Sequence, residues 1–461
     1  MSGRTLFDSV GALVLAAGKG TRMRSDKPKV LHGLLGRPML WHAYRALEPL
    51  FGRRVRTVIG HGAEEVRKAF PDRLGSFVVQ KEQLGTGHAL REAWAALVQD
   101  GYDYCVVLNG DTPLVAPEAL GAFTETCLAE KADLSFIGIH LDDPGAYGRV
   151  VRGASGRSIA IVEAKDYDAA IHGPATGEIN SGVYFLRLAA IEPLLSQLGN
   201  DNKSGEFYIT DLVGLAVDAG LAVTAYDRGV DPDLLGVNSP RELVQAEARL
   251  ARRVVEGWFD RGVVIRFPEG ARIGPEVVIG PGTEINGPCE IYGRTVIGED
   301  VFIGANTWIS DCELASGSSI FPFSHLEGAV VGEHCGVGPY CRLRPGARLM
   351  KGAKAGNFVE VKKSILGEGV KAGHLTYLGD AEIGAGTNIG AGTITCNYDG
   401  KNKHKTVIGE NTFIGSNTAL VAPVSVGGNA LVGAGSVITR DVPEGDLAVA
   451  RSRQKNLARK K

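Results

Sequence analysis

The C-terminal half of the chain repeats every six residues. Ile273, Ile279, Ile285, Ile291, Ile297, Ile303 and Ile309 keep that spacing without a gap. Val331, Val337, Leu343, Leu349, Ala355 and Val361 keep it too, and Ile408, Ile414, Leu420, Val426, Val432 and Ile438 resume it. An amphipathic helix repeats near 3.6 residues and a half-buried strand repeats at 2, so neither produces this rhythm. A hexapeptide solenoid does: one aliphatic side chain in six points inward from each flat side of a three-sided coil. Gly follows many of these positions, as at Gly274, Gly280, Gly298, Gly304, Gly409 and Gly415, and lets the backbone turn the corners. The chain has 63 Gly, about twice the usual share, 32 of them in residues 263–461. The pattern predicts a parallel β-helix over residues 263–442 with two irregular stretches, around 310–326 and 393–406. The second is polar and contains Asn397-Tyr398-Asp399-Gly400, which predicts a projecting loop.

The first half reads differently. Apolar strands at residues 10–16, 54–60, 77–80 and 103–108 alternate with helical patterns at 63–69 and 87–98. That alternation predicts an α/β domain with a mostly parallel sheet over residues 1–240. Its ligands belong at the carboxyl ends of the strands, where Gly18 and Asp111 fall. A linker helix at residues 241–262 carries Leu243, Ala246, Leu250, Val254 and Trp258 on one stripe. The β-helix domain then covers 263–445, and a basic tail covers 446–461. A formal charge of −2 gives no reason to expect nucleic acid or an anionic membrane as partner. Seven Cys without a CxxC pair suggest a reducing compartment and argue against a structural zinc site. No apolar run is long enough for an integral membrane segment, and the strand at 10–16 empties into Gly-Lys-Gly-Thr-Arg rather than a cleavage site. A cytoplasmic protein is expected.

Chemistry concentrates in short motifs. Leu15-Ala16-Ala17-Gly18-Lys19-Gly20-Thr21-Arg22-Met23 follows a strand with two glycines and two cations, so exposed N–H groups and positive charge can cradle phosphates. The spacing fits neither GxGxxG nor GxxxxGK[ST]. Lys29 adds a cation, and Asp111 at a strand end suits a divalent ion bridging phosphates. On these residues alone, a tight turn and a helix cap are equally good readings. With Gln83-Leu-Gly-Thr-Gly-His88 and Asn109-Gly-Asp111, however, the segment resembles the sugar-nucleotide pyrophosphorylases. The β-helix carries Arg342-Leu-Arg-Pro-Gly346, Gly356-Asn-Phe-Val-Glu-Val-Lys362, Lys371-Ala-Gly-His-Leu-Thr-Tyr-Leu-Gly-Asp380 and Asn388-Ile-Gly-Ala-Gly-Thr-Ile-Thr-Cys-Asn-Tyr-Asp-Gly400. Together these resemble the bifunctional bacterial N-acetylglucosamine-1-phosphate uridylyltransferase and glucosamine-1-phosphate N-acetyltransferase family over nearly the whole chain.

That resemblance implies a Rossmann-like nucleotidyltransferase domain followed by a left-handed β-helix. It also implies acetyl transfer from acetyl-CoA in the second domain and coupling of the product to UTP, with Mg²⁺, in the first. Leu15, Ala16, Ala17, Gly18 and Lys29 are implied at UTP, with Arg22 and Lys29 supplying catalytic charge and Gln80, Gly85 and Thr86 at uracil. Asp111 and Asn238 are implied as metal ligands, and Gly148, Glu163 and Asn180 at the acetamido sugar. One departure is Asn109-Gly-Asp-Thr112, where relatives often have Tyr-Gly-Asp-Val; Asp111 is retained. In the second site the resemblance implies His374 as general base, the role its unperturbed pKa of about 6.5 suits. It places Arg344, Lys362, Tyr377, Asn388 and Glu360 at glucosamine-1-phosphate. Asn397, Tyr398, Ser416, Ala434 and Arg451 are placed at acetyl-CoA. A homotrimer packed through the β-helix is implied as well. The competing reading is a single-activity nucleotidyltransferase whose β-helix serves only assembly, which would have no need of the His374, Lys362 and Arg344 set.

Overall fold

A computed structural model describes residues 7–459. The chain divides into two compact units, Met1–Glu247 and Ala248–Lys461.

In the first unit, Val10–Ala16 is buried along its whole length, as an apolar run covered on both faces must be. The sheet order is Val223–Asp227, Leu134–His140, Glu178–Arg187, Tyr104–Asn109, Val10–Ala16, Val55–Ile59, Phe77–Val79. Arg149–Arg152 and Ser158–Val162 branch from it as a hairpin. Glu178–Arg187 runs antiparallel to both neighbours, and the other main pairings are parallel. Helices Met39–Phe51 and Pro117–Ala129 close one apolar layer; Thr86–Gln99, Leu188–Leu195 and Asp211–Asp218 close the other. Val10–Ala16 lies between Val55–Ile59 and Tyr104–Asn109, so connections leave it in opposite directions. A crevice opens at that switch point, beyond the carboxyl ends of the strands.

Helix Pro240–Phe259 starts with a reciprocal cap. Glu242 Oε2 accepts from Ser239 N at 3.0 Å, and Ser239 Oγ accepts from Glu242 N at 3.3 Å. Val255 and Trp258, near its far end, join the β-helix core.

The second unit is a three-sided coil whose faces hold eleven, ten and nine parallel strands. We call them face one (Val264–Arg266 to Leu447–Ala448), face two (Ala271–Ile273 to Val437–Ile438) and face three (Val278–Ile279 to Val424–Val426). The six-spaced aliphatics stack inward, Ile285, Ile303, Ile320, Val337, Ile414 and Val432 among them, all fully buried. The expected irregularity at 310–326 is not a break. Strands continue there in register, with Ile309 beside Leu326 and Leu314 beside both Ile297 and Val331. The step shortens from six to five residues at Ile309 to Leu314, Leu326 to Val331, Val361 to Leu366 and Leu378 to Ile383. All four short steps lie at the corner from face two to face three. Asp311, Gly328, Lys363 and Asp380 occupy that corner with φ of 53°, 53°, 46° and 49°. Each of these residues stands two positions after the inward-facing one and turns the shortened corner in the left-handed region. The polar insertion leaves from the same corner, between Ile394–Cys396 and Thr406–Ile408. Chain length therefore varies mainly at this edge; the first coil alone adds two residues at the corner from face one to face two, between Ile265 and Ile273, where the turn Pro268–Gly270 lies.

Candidate active sites

The crevice of the first unit holds a cavity of about 530 Å³. Leu15, Ala16, Ala17, Gly18, Arg22, Lys29, Gln80, Gly85, Thr86, Asp111 and Asn238 all line it, together with Asn109. Gly20, at φ 62°, presses its Cα against the Lys29 side chain, where an added Cβ would stand 2.6 Å from Lys29 Cβ. The Lys29 ammonium bridges the Asp111 carboxylate and Asn238 Oδ1, the latter at 2.7 Å. Arg22 donates to the same Oδ1 at 2.9 Å. Asn238 Nδ2 donates to Gly236 O at 3.1 Å, and Asn238 N donates to Glu242 Oε2 at 2.6 Å. The cap holds the Asn238 backbone and Gly236 O holds its Nδ2, which leaves Oδ1 on the Lys29 ammonium that also meets Asp111. Two oxygens converge on one cation-sized point, at present served by an ammonium. Among the described residues no group of three or more His, Cys, Asp or Glu could hold a metal. Two protein oxygens do suit Mg²⁺, which keeps waters and takes the rest of its shell from phosphates.

Gln80 is almost fully buried behind this cavity, its Nε2 donating to Gly85 O at 3.0 Å. Gly85 takes φ 112°, and a Cβ there would stand 2.4 Å from Phe207 O. The Thr86 hydroxyl accepts from Ile209 N at 3.0 Å, tying the same segment down. Gly148, Glu163 and Asn180 also meet. Asn180 N donates to Gly148 O at 2.9 Å, and the bare Cα of Gly148 leaves room for Glu163. Thr210 Oγ1 donates to Glu163 Oε1 at 3.1 Å, while burial pushes that carboxyl above the usual range. Asn180 Nδ2 donates to the buried Tyr184 hydroxyl at 2.6 Å across a bulge in the strand. Tyr184 and Thr210 were not expected from sequence.

The residues expected at the second site, Asn388 apart, lie on face two or along its two edges. At the edge towards face three, Arg344 donates to Glu360 at 3.0 Å. Lys362 stands beside Lys403 and Arg344, whose charges lower its pKa. Lys403, from the insertion, was not anticipated; three cations gathered on an open surface suit a phosphate. A Cβ on Gly379 would lie 2.4 Å from Tyr377 Oη and 2.8 Å from Asn397 Nδ2, so both polar groups meet over that glycine. Asn397 Nδ2 donates to Asp380 at 2.5 Å. The expected projecting loop is partly corrected here: Asn397 is buried against its own coil, and Tyr398, 60% exposed, is the residue that projects.

At the other edge, towards face one, His374 is exposed, and its Nδ1 lies 2.5 Å from Asn357 Oδ1. An amide oxygen can only accept, so Nδ1 carries the proton and Nε2 is left as a base. Asn357 is a further residue not singled out beforehand. Ser416, Ala434 and Arg451 continue this edge. Gly435 N donates to Ser416 O at 2.8 Å, and the Arg451 guanidinium donates to Ala434 O at 2.8 Å. Asn388 sits on face one, between Lys371 and Phe413.

A crevice with a glycine-rich loop at a sheet switch point, and a β-helix bearing a cation cluster and an exposed imidazole, have the form of a two-site transferase. A profile of the MobA-like NTP transferase domain matches residues 12–155. A GMPPB C-terminal domain profile matches 273–383, and the hexapeptide repeat of succinyl-transferase matches 405–440. The chain is 59% identical over 455 residues to the bifunctional protein GlmU of Nitratidesulfovibrio vulgaris (strain DP4), covering 99% of each. It is 57% identical over 449 residues to that of Oleidesulfovibrio alaskensis, covering 97% of each. The Pseudomonas putida protein is 46% identical over 452 residues, or 98% of this chain and 97% of that one. The chain belongs to the GlmU family. It is accordingly a bifunctional enzyme, joining N-acetylglucosamine-1-phosphate uridylyltransferase and glucosamine-1-phosphate N-acetyltransferase activities. Among the described residues no helix is long and apolar enough to cross a membrane.

Proposed function

We propose that the two activities divide between the crevice and the β-helix as follows. UTP lies in the crevice with its phosphates on the Gly18 loop, Arg22 and Lys29, and its base against Gln80, Gly85 and Thr86. N-acetylglucosamine-1-phosphate is held by Gly148, Glu163 and Asn180. Its phosphate oxygen attacks the α-phosphorus in line and pyrophosphate leaves, so the residues position reactants and neutralise charge without a protein nucleophile. Asp111 and Asn238 would hold Mg²⁺, which when bound draws phosphate oxygens together and offsets their charge. Lys29 then turns from these two oxygens to the phosphates, an exchange of anionic partners that its flexible stem permits. The observation that carries this reading is the convergence of the Asp111 carboxylate and the Asn238 amide oxygen on one cation beside the Gly18 loop.

In the β-helix, Arg344 and Lys362, joined by Lys403, hold the phosphate of glucosamine-1-phosphate, and Tyr377, Asn388 and Glu360 complete its pocket. His374 Nε2 takes the proton as the amine attacks the thioester carbonyl of acetyl-CoA, and the thiol leaves. Asn397, Tyr398, Ser416, Ala434 and Arg451 line the acetyl-CoA path. We further infer a cyclic trimer through the β-helix. The test is Asp111→Ala, which should abolish pyrophosphate release from UTP while acetyl transfer, followed as free thiol, stays near wild type. Equal loss of both activities in a folded variant would sink the assignment of separate sites.

A further inference from the structure

The direction in which an amide faces decides what it can read, and the Gln80 amide is held from behind. Gly85 O can only accept, so the bond at 3.0 Å puts Gln80 Nε2, not Oε1, on that side. The same Nε2 lies 2.9 Å from His88 Nδ1. That nitrogen must therefore accept, and the ring proton sits on Nε2. His88 Nε2 faces the Glu92 carboxylate at 3.4 Å, which favours this tautomer. Both groups stand on helix Thr86–Gln99, four residues apart, so the helix sets their alignment. Both Gln80 amide hydrogens are then engaged, and the acceptor Oε1 is what remains for the nucleotide cavity. Uracil offers an N3–H donor between two carbonyls. Cytosine offers a bare N3 acceptor beside an amino group. An amide that presents only its oxygen, held opposite N3, accepts from uracil N3–H and faces the bare lone pair of cytosine N3.

We propose that His88, its tautomer held by Glu92, is the positioning residue that makes this uridylyltransferase select uracil over cytosine. The proposal rests on the reading of Gln80 as the base-facing residue. Without His88 the amide keeps a single tether, Gly85 O, and can turn its N–H towards the base. A polar group that rejects the wrong partner does so because that partner would leave it unpaired, and a reader free to rotate loses this penalty.

The measurement is pyrophosphate release from UTP and from CTP, over a concentration range, by the full chain and its His88→Ala, His88→Asn, Gln80→Ala and Gln80→Ala/His88→Ala variants. His88→Ala should lower the UTP-to-CTP ratio of kcat/KM by about ten- to a hundredfold, mainly through KM for UTP. His88→Asn, whose Oδ1 can accept in place of Nδ1, should keep most of the ratio, a rescue that a merely structural role would not show. In the Gln80→Ala background, His88→Ala should change the ratio no further. A His88→Ala enzyme that melts like His88→Asn and keeps the wild-type ratio overturns the proposal, as does an equal loss in both His88 variants. If Gln80→Ala itself leaves the ratio unchanged, the base-facing reading of Gln80 fails, and the proposal fails with it.

Discussion

The base role proposed for His374 depends on Asn357, which occupies its other nitrogen. The amide oxygen holds Nδ1–H at 2.5 Å, so Nε2 keeps its lone pair outward. Removing the imidazole should lower acetyl transfer by about 10²- to 10⁴-fold, the usual worth of a positioned proton acceptor. Raising the pH should recover part of the loss, because more of the amino sugar then arrives unprotonated, and uridylyl transfer from supplied N-acetylglucosamine-1-phosphate should not change. Near-full acetyl transfer by His374→Ala at neutral pH would assign the proton to another group. His374 drew notice in the sequence because its motif is distinctive. Asn357 did not, since the two meet only when the coil closes in seventeen residues, a length that the six-residue rhythm does not announce. The His88 contact with Gln80 was hidden for a related reason: a rotamer and a tautomer decide it, and neither is written in residue order.

At the scale of the element, the prism was readable because burial of one aliphatic side in six is the condition for the coil to exist. The shortened coils were not, because a loss of one residue at a corner breaks the period without breaking the register of the stacked strands. Lys363 and Asp380 turn two of the short steps, at the corner that also carries Lys362, Asn397 and the insertion. Register there is what brings together the residues proposed for the sugar-phosphate pocket. Lys362 pairs with Gly379 on the next coil, and the absent side chain leaves the gap into which Tyr377 Oη and Asn397 Nδ2 reach. Gly379→Ala puts a methyl group within 2.4 Å of that hydroxyl, so the tyrosine must move. Gly379 does not take a left-handed φ, and the backbone itself tolerates alanine. The expected result is a loss of acetyl transfer of tenfold or more, carried by KM for glucosamine-1-phosphate, with thermal unfolding shifted by only a few degrees. Unchanged KM in Gly379→Ala would separate Tyr377 and Asn397 from the sugar pocket.

For the whole molecule, the arrangement of the second site asks for more than one prism. The residues proposed for one reaction lie along two edges of a rigid face: His374, Ser416, Ala434 and Arg451 on one, Arg344, Lys362 and Tyr398 on the other. The first edge is also unusually apolar. Phe323, Tyr340 and Phe358 take left-handed positions at a corner where Asn306, Leu375, Asn417 and Gly435 stand on other coils; the three rings stack at 4.8 Å and 5.3 Å and remain 47%, 48% and 55% exposed. Aromatic residues held in a costly conformation and left in water suit a surface covered by another copy. Preformed prisms associate with little loss of conformational entropy, and a heterologous contact that closes after three copies is a cyclic trimer. The expected mass is near three times 48.7 kDa. Exchanging Phe323, Tyr340 and Phe358 for serine should shift the population towards monomer and take acetyl transfer with it, leaving uridylyl transfer in place. A sharper measurement mixes two inactive parents, His374→Ala and Tyr398→Ala, after dissociation and reassembly. If one pocket draws His374 from one subunit and Tyr398 from its neighbour, mixed trimers contain intact pockets and acetyl transfer returns. If both residues serve from the same subunit, every pocket stays defective and no activity is recovered. A monodisperse monomer by light scattering with full acetyltransferase activity would refute the trimer and the shared pocket together.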